Sequence, residues 1–230
     1  MNKAARTNGR RFCQEGILMD LELWLENWKT AVLASFGAGR VRFMGIQGSR
    51  ARGEAKEGSD IDAVLILDEL SAEDLREYRN CTAGLQERDR LCGFVSGERE
   101  LMSWPRSELF SFFLDTVPVY GALDGYAGRI TREDVRTGAH IAAGGIYHAC
   151  VHGALFEREE TLPDELCKSA FFALRAVHYL ETGERLRTRC ELADARPDER
   201  DLIYGDLSGD LDARLSRLMT WSAALMRRLA

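Results

Sequence analysis

Two aspartates bracket an isoleucine at Asp60-Ile61-Asp62, one short turn downstream of Gly48-Ser49. In an extended strand alternate side chains share a face, so Asp60 and Asp62 project together while Ile61 points the other way. Two carboxylates converging at one strand end repel unless a cation sits between them. Mg²⁺, a hard ion usually held by one or two carboxylates plus substrate phosphates, suits that arrangement. Gly48 and Ser49 add a turn with no bulk to keep a triphosphate away from its backbone N–H groups. The spacing therefore reads as an oxygen-rich metal site beside a phosphate-binding turn.

The elements needed to hold these residues are legible around them. Val41-Arg42-Phe43-Met44-Gly45-Ile46-Gln47 is extended and mostly apolar, the profile of a buried strand. Gly48-Ser49-Arg50-Ala51-Arg52-Gly53-Glu54-Ala55 is a small-residue turn able to open a short helix. After the Gly58-Ser59 break, Asp60 to Leu67 reads as a second strand.

The whole string GSRARGEAKEGSDIDAVLIL resembles the signature of the DNA polymerase beta-type nucleotidyltransferase superfamily, Gly-Ser followed after a spacer by Asp-x-Asp. Strand, turn, helix and strand occur in the family's order, which makes the match more specific than a lone glycine-rich loop. The resemblance implies that Asp60 and Asp62 hold two Mg²⁺ ions. Gly48 and Ser49 would then contact the β- and γ-phosphates of ATP or another nucleoside triphosphate, with Arg50 and Arg52 in reach of the same turn. A hydroxyl would attack the α-phosphate and pyrophosphate would leave. The family usually supplies a third carboxylate from a neighbouring strand. The strand expected here, Leu91 to Ser96, contains no acid. Asp89 at its entrance is the nearest candidate, ahead of Glu98 and Glu100 beyond its end. A chain without that acid is a slow enzyme, one that takes its base from elsewhere, or a nucleotide binder that no longer catalyses.

The remaining sequence supplies the frame. Ile17, Leu18, Leu21, Trp24, Leu25, Trp28 and Val32 fall at helical spacing ahead of the first strand, with the tryptophans expected in the core. Ser71 opens a helix to about Ala83, with acids in its first turn. Glu98 to Trp104 and Ser107 to Asp115 read as helical pieces around Pro105, and Val117 to Gly121 as an edge strand containing Pro118. The fold class is α+β: a small mixed sheet with flanking helices, followed by an all-α bundle. The domains are expected at residues 1–126, catalytic, and 127–230, acceptor-binding. In the second half the pattern predicts a helix around Ile141 to Val151 loosened by Gly144-Gly145, one over Cys167 to Leu180, and one from Asp210 to Leu229. Thr182 to Ser208 reads as a long charged loop shaping a site mouth.

That second half is similar to the HEPN-like helical bundles fused to nucleotidyltransferases, where the bundle often helps bind the acceptor. Ribonuclease activity is disfavoured, because Arg136/His140 and Arg175/His178 lack that group's wider Arg-to-His spacing. His148 and His152 share a helix face, a geometry able to hold a metal, but no adjacent acid completes a metalloprotease motif, so packing is favoured.

A net charge of −6 argues against a nucleic-acid partner. The six cysteines form no C-x-x-C pair, which fits buried thiols in a reducing, cytoplasmic setting. The N-terminal stretch Met1 to Gln14 is polar and basic, without an apolar signal core, and no run is long enough to cross a bilayer. The expected reaction is Mg²⁺-dependent transfer of a nucleoside monophosphate, AMP from ATP, to a hydroxyl of a small molecule such as an antibiotic. Adenylylation of a protein in the manner of antitoxin enzymes is the alternative, and an inactive nucleotide-binding module is another. A homodimer is left open.

Overall fold

The computed structural model describes residues 20–230. Ile17, Leu18 and the basic N-terminal stretch therefore lie outside the described residues. From Leu21 the expected amphipathic helix is present as α1 (Leu21–Phe36), started by the Asp20 carboxylate accepting the Leu23 N–H. Its inner face buries Trp24, Trp28, Val32 and Phe36. The two indoles stack at 6.0 Å and spend their N–H groups on the Gln86 carbonyl and the Tyr78 hydroxyl. They are core residues, each with its one polar atom satisfied.

Strands β1 (Val41–Gln47) and β2 (Ile61–Leu67) pair antiparallel around the short helix α2 (Gly48–Ala51). Next come α3 (Ala72–Thr82), a 3₁₀ turn at 88–90, β3 (Leu91–Gly97), α4 (Glu98–Ser103), α5 (Arg106–Asp115) and β4 (Val117–Gly121). The sheet order is β3-β2-β1-β4, mixed, with only the β2–β3 pair parallel. Both outer strands are edges, and Pro118 lies in one of them, where its missing N–H costs no interior ladder bond. One face of the sheet packs Ile61, Ala63, Leu65 and Leu67 against α1. The opposite face sets Val64 and Ile66 against Leu101 and Leu109 of α4 and α5. By strand alternation Asp62 shares this second face.

The helical part contains α6 (Asp124–Ala127), α7 (Arg132–His152), α8 (Leu162–Thr182), α9 (Arg189–Ala195), α10 (Arg200–Tyr204) and α11 (Leu211–Leu229). The five leucines expected on the inner stripe of α11 are all buried. Two expectations are corrected. Helix α7 runs through Gly144-Gly145 without a break, because the surrounding turns bury Ala139, Ala143 and Ile146 in the bundle core and that packing outweighs weak local propensity. The stretch 182–208 is not an open loop. It folds into α9, a 3₁₀ turn at 197–199 and α10, pieces too short to show a helical period in sequence. Among the described residues no helix is long and apolar enough to cross a membrane.

Candidate functional site

The site starts at Gly48, where β1 ends. Its backbone is left-handed (φ +72°), and any Cβ there would run into the Asp62 carboxylate. Both constraints select glycine. The Gly48 N–H donates to Asp115 Oδ2 at 2.9 Å. Gln47, just before it, donates from Nε2 to the Thr116 hydroxyl at 2.6 Å. The turn is thus pinned to the C-terminal end of α5 before any substrate arrives.

Across the strand pair, Gln47 stands opposite Asp62, and Asp62 stands beside Cys92 of β3. The acid and the thiol therefore share a sheet face. Asp60 lies one step outside β2, its backbone carbonyl held by Arg50 Nε at 3.0 Å, while Arg50 Nη2 takes the Ser59 carbonyl at 2.7 Å. Burial pushes the Asp62 carboxyl above the ordinary aspartate range, and the neighbouring Asp60 and Asp115 charges push it further. An exposed Asp60 beside a half-buried Asp62, with a mutual repulsion that Arg52 and Arg50 only partly offset, fits a divalent cation. Among the described residues, no group of three His, Cys, Asp or Glu side chains could hold a metal. A two-carboxylate site completed by substrate phosphates is the arrangement Mg²⁺ accepts most readily.

Asp60, Asp62 and Ser49 line a cleft of about 880 Å³ whose far wall belongs to the helical part, with Lys168 of α8, Arg189 of α9 and Tyr204 of α10. Arg189 anchors its own backbone N–H on Glu54 Oε1 at 2.5 Å and lays its guanidinium over the Phe171 ring at 4.4 Å. Its Nη1 is enclosed with no hydrogen-bond partner. Burial pulls this guanidinium below its ordinary range, with Glu54 opposing the shift. A guanidinium lining the cleft together with Lys168 suits an oxyanion.

The arginines of the Gly-Ser turn are used differently from expectation. Arg50 is occupied by the Ser59 and Asp60 carbonyls, so it positions Asp60. Arg52 lies in the cleft wall but is enclosed, bonding Glu54 Oε2 at 2.9 Å and Asp115 at 2.8 Å. Asp89 is exposed in the 88–90 turn and is absent from the cleft lining. The acid that does reach the turn is Asp115. It also receives Arg175 Nη1 of α8 at 2.9 Å, with Arg175 1% and Asp115 8% exposed at the side chain. Asp115 is saturated by two guanidiniums and an amide, which makes it a structural pin and leaves no side free for a metal. Sequence reading missed this pin. Its signal was an arginine on the buried stripe of α8, between Phe171, Leu174 and His178, since a buried guanidinium requires a buried acid elsewhere.

His148 and His152 lie with ring centroids 6.1 Å apart on the outer side of α7, neither lines the cleft, and His152 also contacts Phe156 and Glu157. They take no part in the cleft.

Residues 27–104 match the family model described as a nucleotidyltransferase domain. No curated protein is matched by sequence. Among solved structures, spectinomycin adenyltransferase AAD(9) from Enterococcus faecialis, determined with ATP and spectinomycin, superposes with a TM-score of 0.51 at 14% identity. The alignment covers 89% of this chain and 98% of that one, so the two share a fold along their length. A nucleotidyltransferase-like protein from Exiguobacterium sibiricum 255-15 overlaps over 89% of this chain and 74% of that one at 12% identity, with a TM-score of 0.36 that is too low to define a common fold.

Proposed function

Because the chain carries a nucleotidyltransferase domain, we propose that it moves AMP from ATP onto a hydroxyl of a small-molecule acceptor, with an antibiotic the first class to test. The observation that carries this reading is the two-sided cleft, which Asp60 and Asp62 line together with Lys168 and Arg189 of the helical part. Asp60 and Asp62 would hold Mg²⁺. When bound, the ion supplies charge neutralisation on the triphosphate and a fixed frame for in-line displacement.

The chain's own residues then have distinct tasks. The Gly48-Ser49 turn offers close approach to the phosphates at Ser49, while the Gly48 N–H, expected to contact phosphate, is spent on Asp115 and holds the turn rigid. Arg189 and Lys168 would draw the outgoing pyrophosphate charge from the opposite wall. Tyr204, at the same wall, offers a ring for stacking and a hydroxyl for hydrogen bonding. The catalytic unit is assigned to residues 1–126 and acceptor binding to residues 127–230, which meet at this cleft. A volume of about 880 Å³ accommodates a nucleotide together with a compact acceptor. The neighbouring enzyme was determined with ATP and spectinomycin, which favours starting the acceptor search among aminocyclitols and aminoglycosides.

The test is incubation of purified protein with α-labelled ATP, Mg²⁺ and an acceptor panel. Pyrophosphate release and a labelled small molecule are expected, both abolished by Asp60→Asn with Asp62→Asn. Label on a protein band instead would select the adenylylation alternative. Saturable ATP binding without turnover on any acceptor would leave a binding module.

A further inference from the structure

A second cavity of about 480 Å³ lies behind the catalytic turn, between the β4–α6 connection and the end of α8, and shares no lining residue with the cleft. Phe110, Phe113, Leu123, Ile130 and Tyr179 give it apolar walls, while Arg185 and Arg187 stand at its rim. Arg185 is spread over the Tyr179 ring at 5.6 Å. Arg187 spends Nη2 on the Asp115 carbonyl at 3.3 Å, a long contact, and its Nε is enclosed without any acceptor. Asp124 is the single carboxylate in the lining, so the rim is net positive. A chamber of this size, walled in part by Phe110, Phe113 and Tyr179 and carrying a few polar groups, is the usual form of a small-ligand pocket.

We infer that this cavity is a binding site for a small organic acid, with the apolar body between the aromatic walls and the carboxylate on Arg187 and Arg185. A guanidinium matches carboxylate geometry, and Arg185 and Arg187 both line the chamber. The apolar body would remove the chamber's hydrocarbon surface from water. Neither half of the site explains binding alone. A bare inorganic anion leaves the chamber unfilled, and a neutral hydrocarbon leaves the rim unpaired.

Isothermal titration of the full chain with decanoate, decanol and inorganic phosphate tests both halves. Decanoate is expected to bind saturably with one site per chain. Decanol, lacking the charge-assisted contact, and phosphate, lacking the buried hydrocarbon, should each bind about tenfold more weakly or worse. Arg185→Gln with Arg187→Gln should weaken decanoate about tenfold or more and leave decanol unchanged, whereas Asp60→Asn should leave decanoate binding intact. Equal binding of decanol, equal binding of phosphate, no saturable decanoate binding, or an unaltered affinity in the double variant would each overturn the assignment. Arg187 also touches Asp115, so Ala122→Phe, which fills the chamber from the loop without removing a charge, is the second variant. It should abolish decanoate binding, and retained affinity in that variant would refute the site.

Discussion

Gly48 answers two demands with one hydrogen atom: a left-handed backbone, and room for the Asp62 carboxylate against its Cα. Gly48→Ala should therefore displace either the turn or the acid. A shift of about 1 Å is enough to lower turnover by on the order of 10²-fold, to be read as kcat with ATP saturating. Asp62 itself is held in a repulsive setting, half-buried and next to Asp60. Its carboxyl titrates higher in the folded chain than in the unfolded one, so this residue favours folding in acid and opposes it once pH rises past the folded value. Asp62→Asn should raise the metal-free melting temperature at neutral pH, by roughly 2–4 °C for each kcal/mol relieved. The gain should vanish below the ordinary aspartate range. Added Mg²⁺ should stabilise the native chain under the same conditions and not the variant.

At the scale of elements, helices are fixed to the sheet by charges placed at their ends and on their faces. Helix α3 opens with a capping box in which Ser71 and Asp74 satisfy each other's N–H groups, and Asp74 also takes Arg40 Nη1 at 2.6 Å. The Arg40 bond, reinforced by Ser71, holds the Asp74 carboxyl well below the usual range. Its contribution is present above the unfolded aspartate value and fades as pH falls towards the folded one. Asp74→Ala should cost about 1–2 kcal/mol at neutral pH by denaturant titration, the normal worth of such a cap, and progressively less in acid. Helix α8 is tied more deeply. Arg175→Met removes one guanidinium from a buried acid that also orders Gly48, and should destabilise the chain on the order of 3 kcal/mol. The same change should lower turnover even where the protein remains folded, because the turn loses part of its brace.

Considered whole, the molecule has apolar cores on both faces of the sheet and another inside the helical part, with the cleft where the sheet's acid-bearing edge meets α8, α9 and α10. The sheet side brings the acid pair and the helical side brings Lys168 and Arg189, so neither part alone completes a site for a metal-bound triphosphate. Arg189→Ala and Lys168→Ala should each raise KM for ATP about tenfold, as expected for a charge-assisted phosphate contact. Acceptor-independent ATP binding, followed by titration, checks whether the loss occurs at that step.

Local sequence specified what depends on neighbours along the chain. Two strands around a glycine turn place Asp60 and Asp62 on one face, and amphipathic periods place α1 and α11, because alternation and helical spacing are properties of the backbone itself. The left-handed bend at Gly48 was legible for the same reason, whereas the room it leaves for Asp62 depends on the strand pairing. Tertiary structure decided everything that required distant segments to meet. Asp115 looked like the last residue of a helix and became the pin of the turn. Arg52 looked like a phosphate contact and was consumed by Asp115 and Glu54. Arg189 and Tyr204 lay in a stretch read as loop and became the opposite wall. A side chain's partner is set by where the whole chain packs, and a buried charge takes whichever counter-charge that packing supplies.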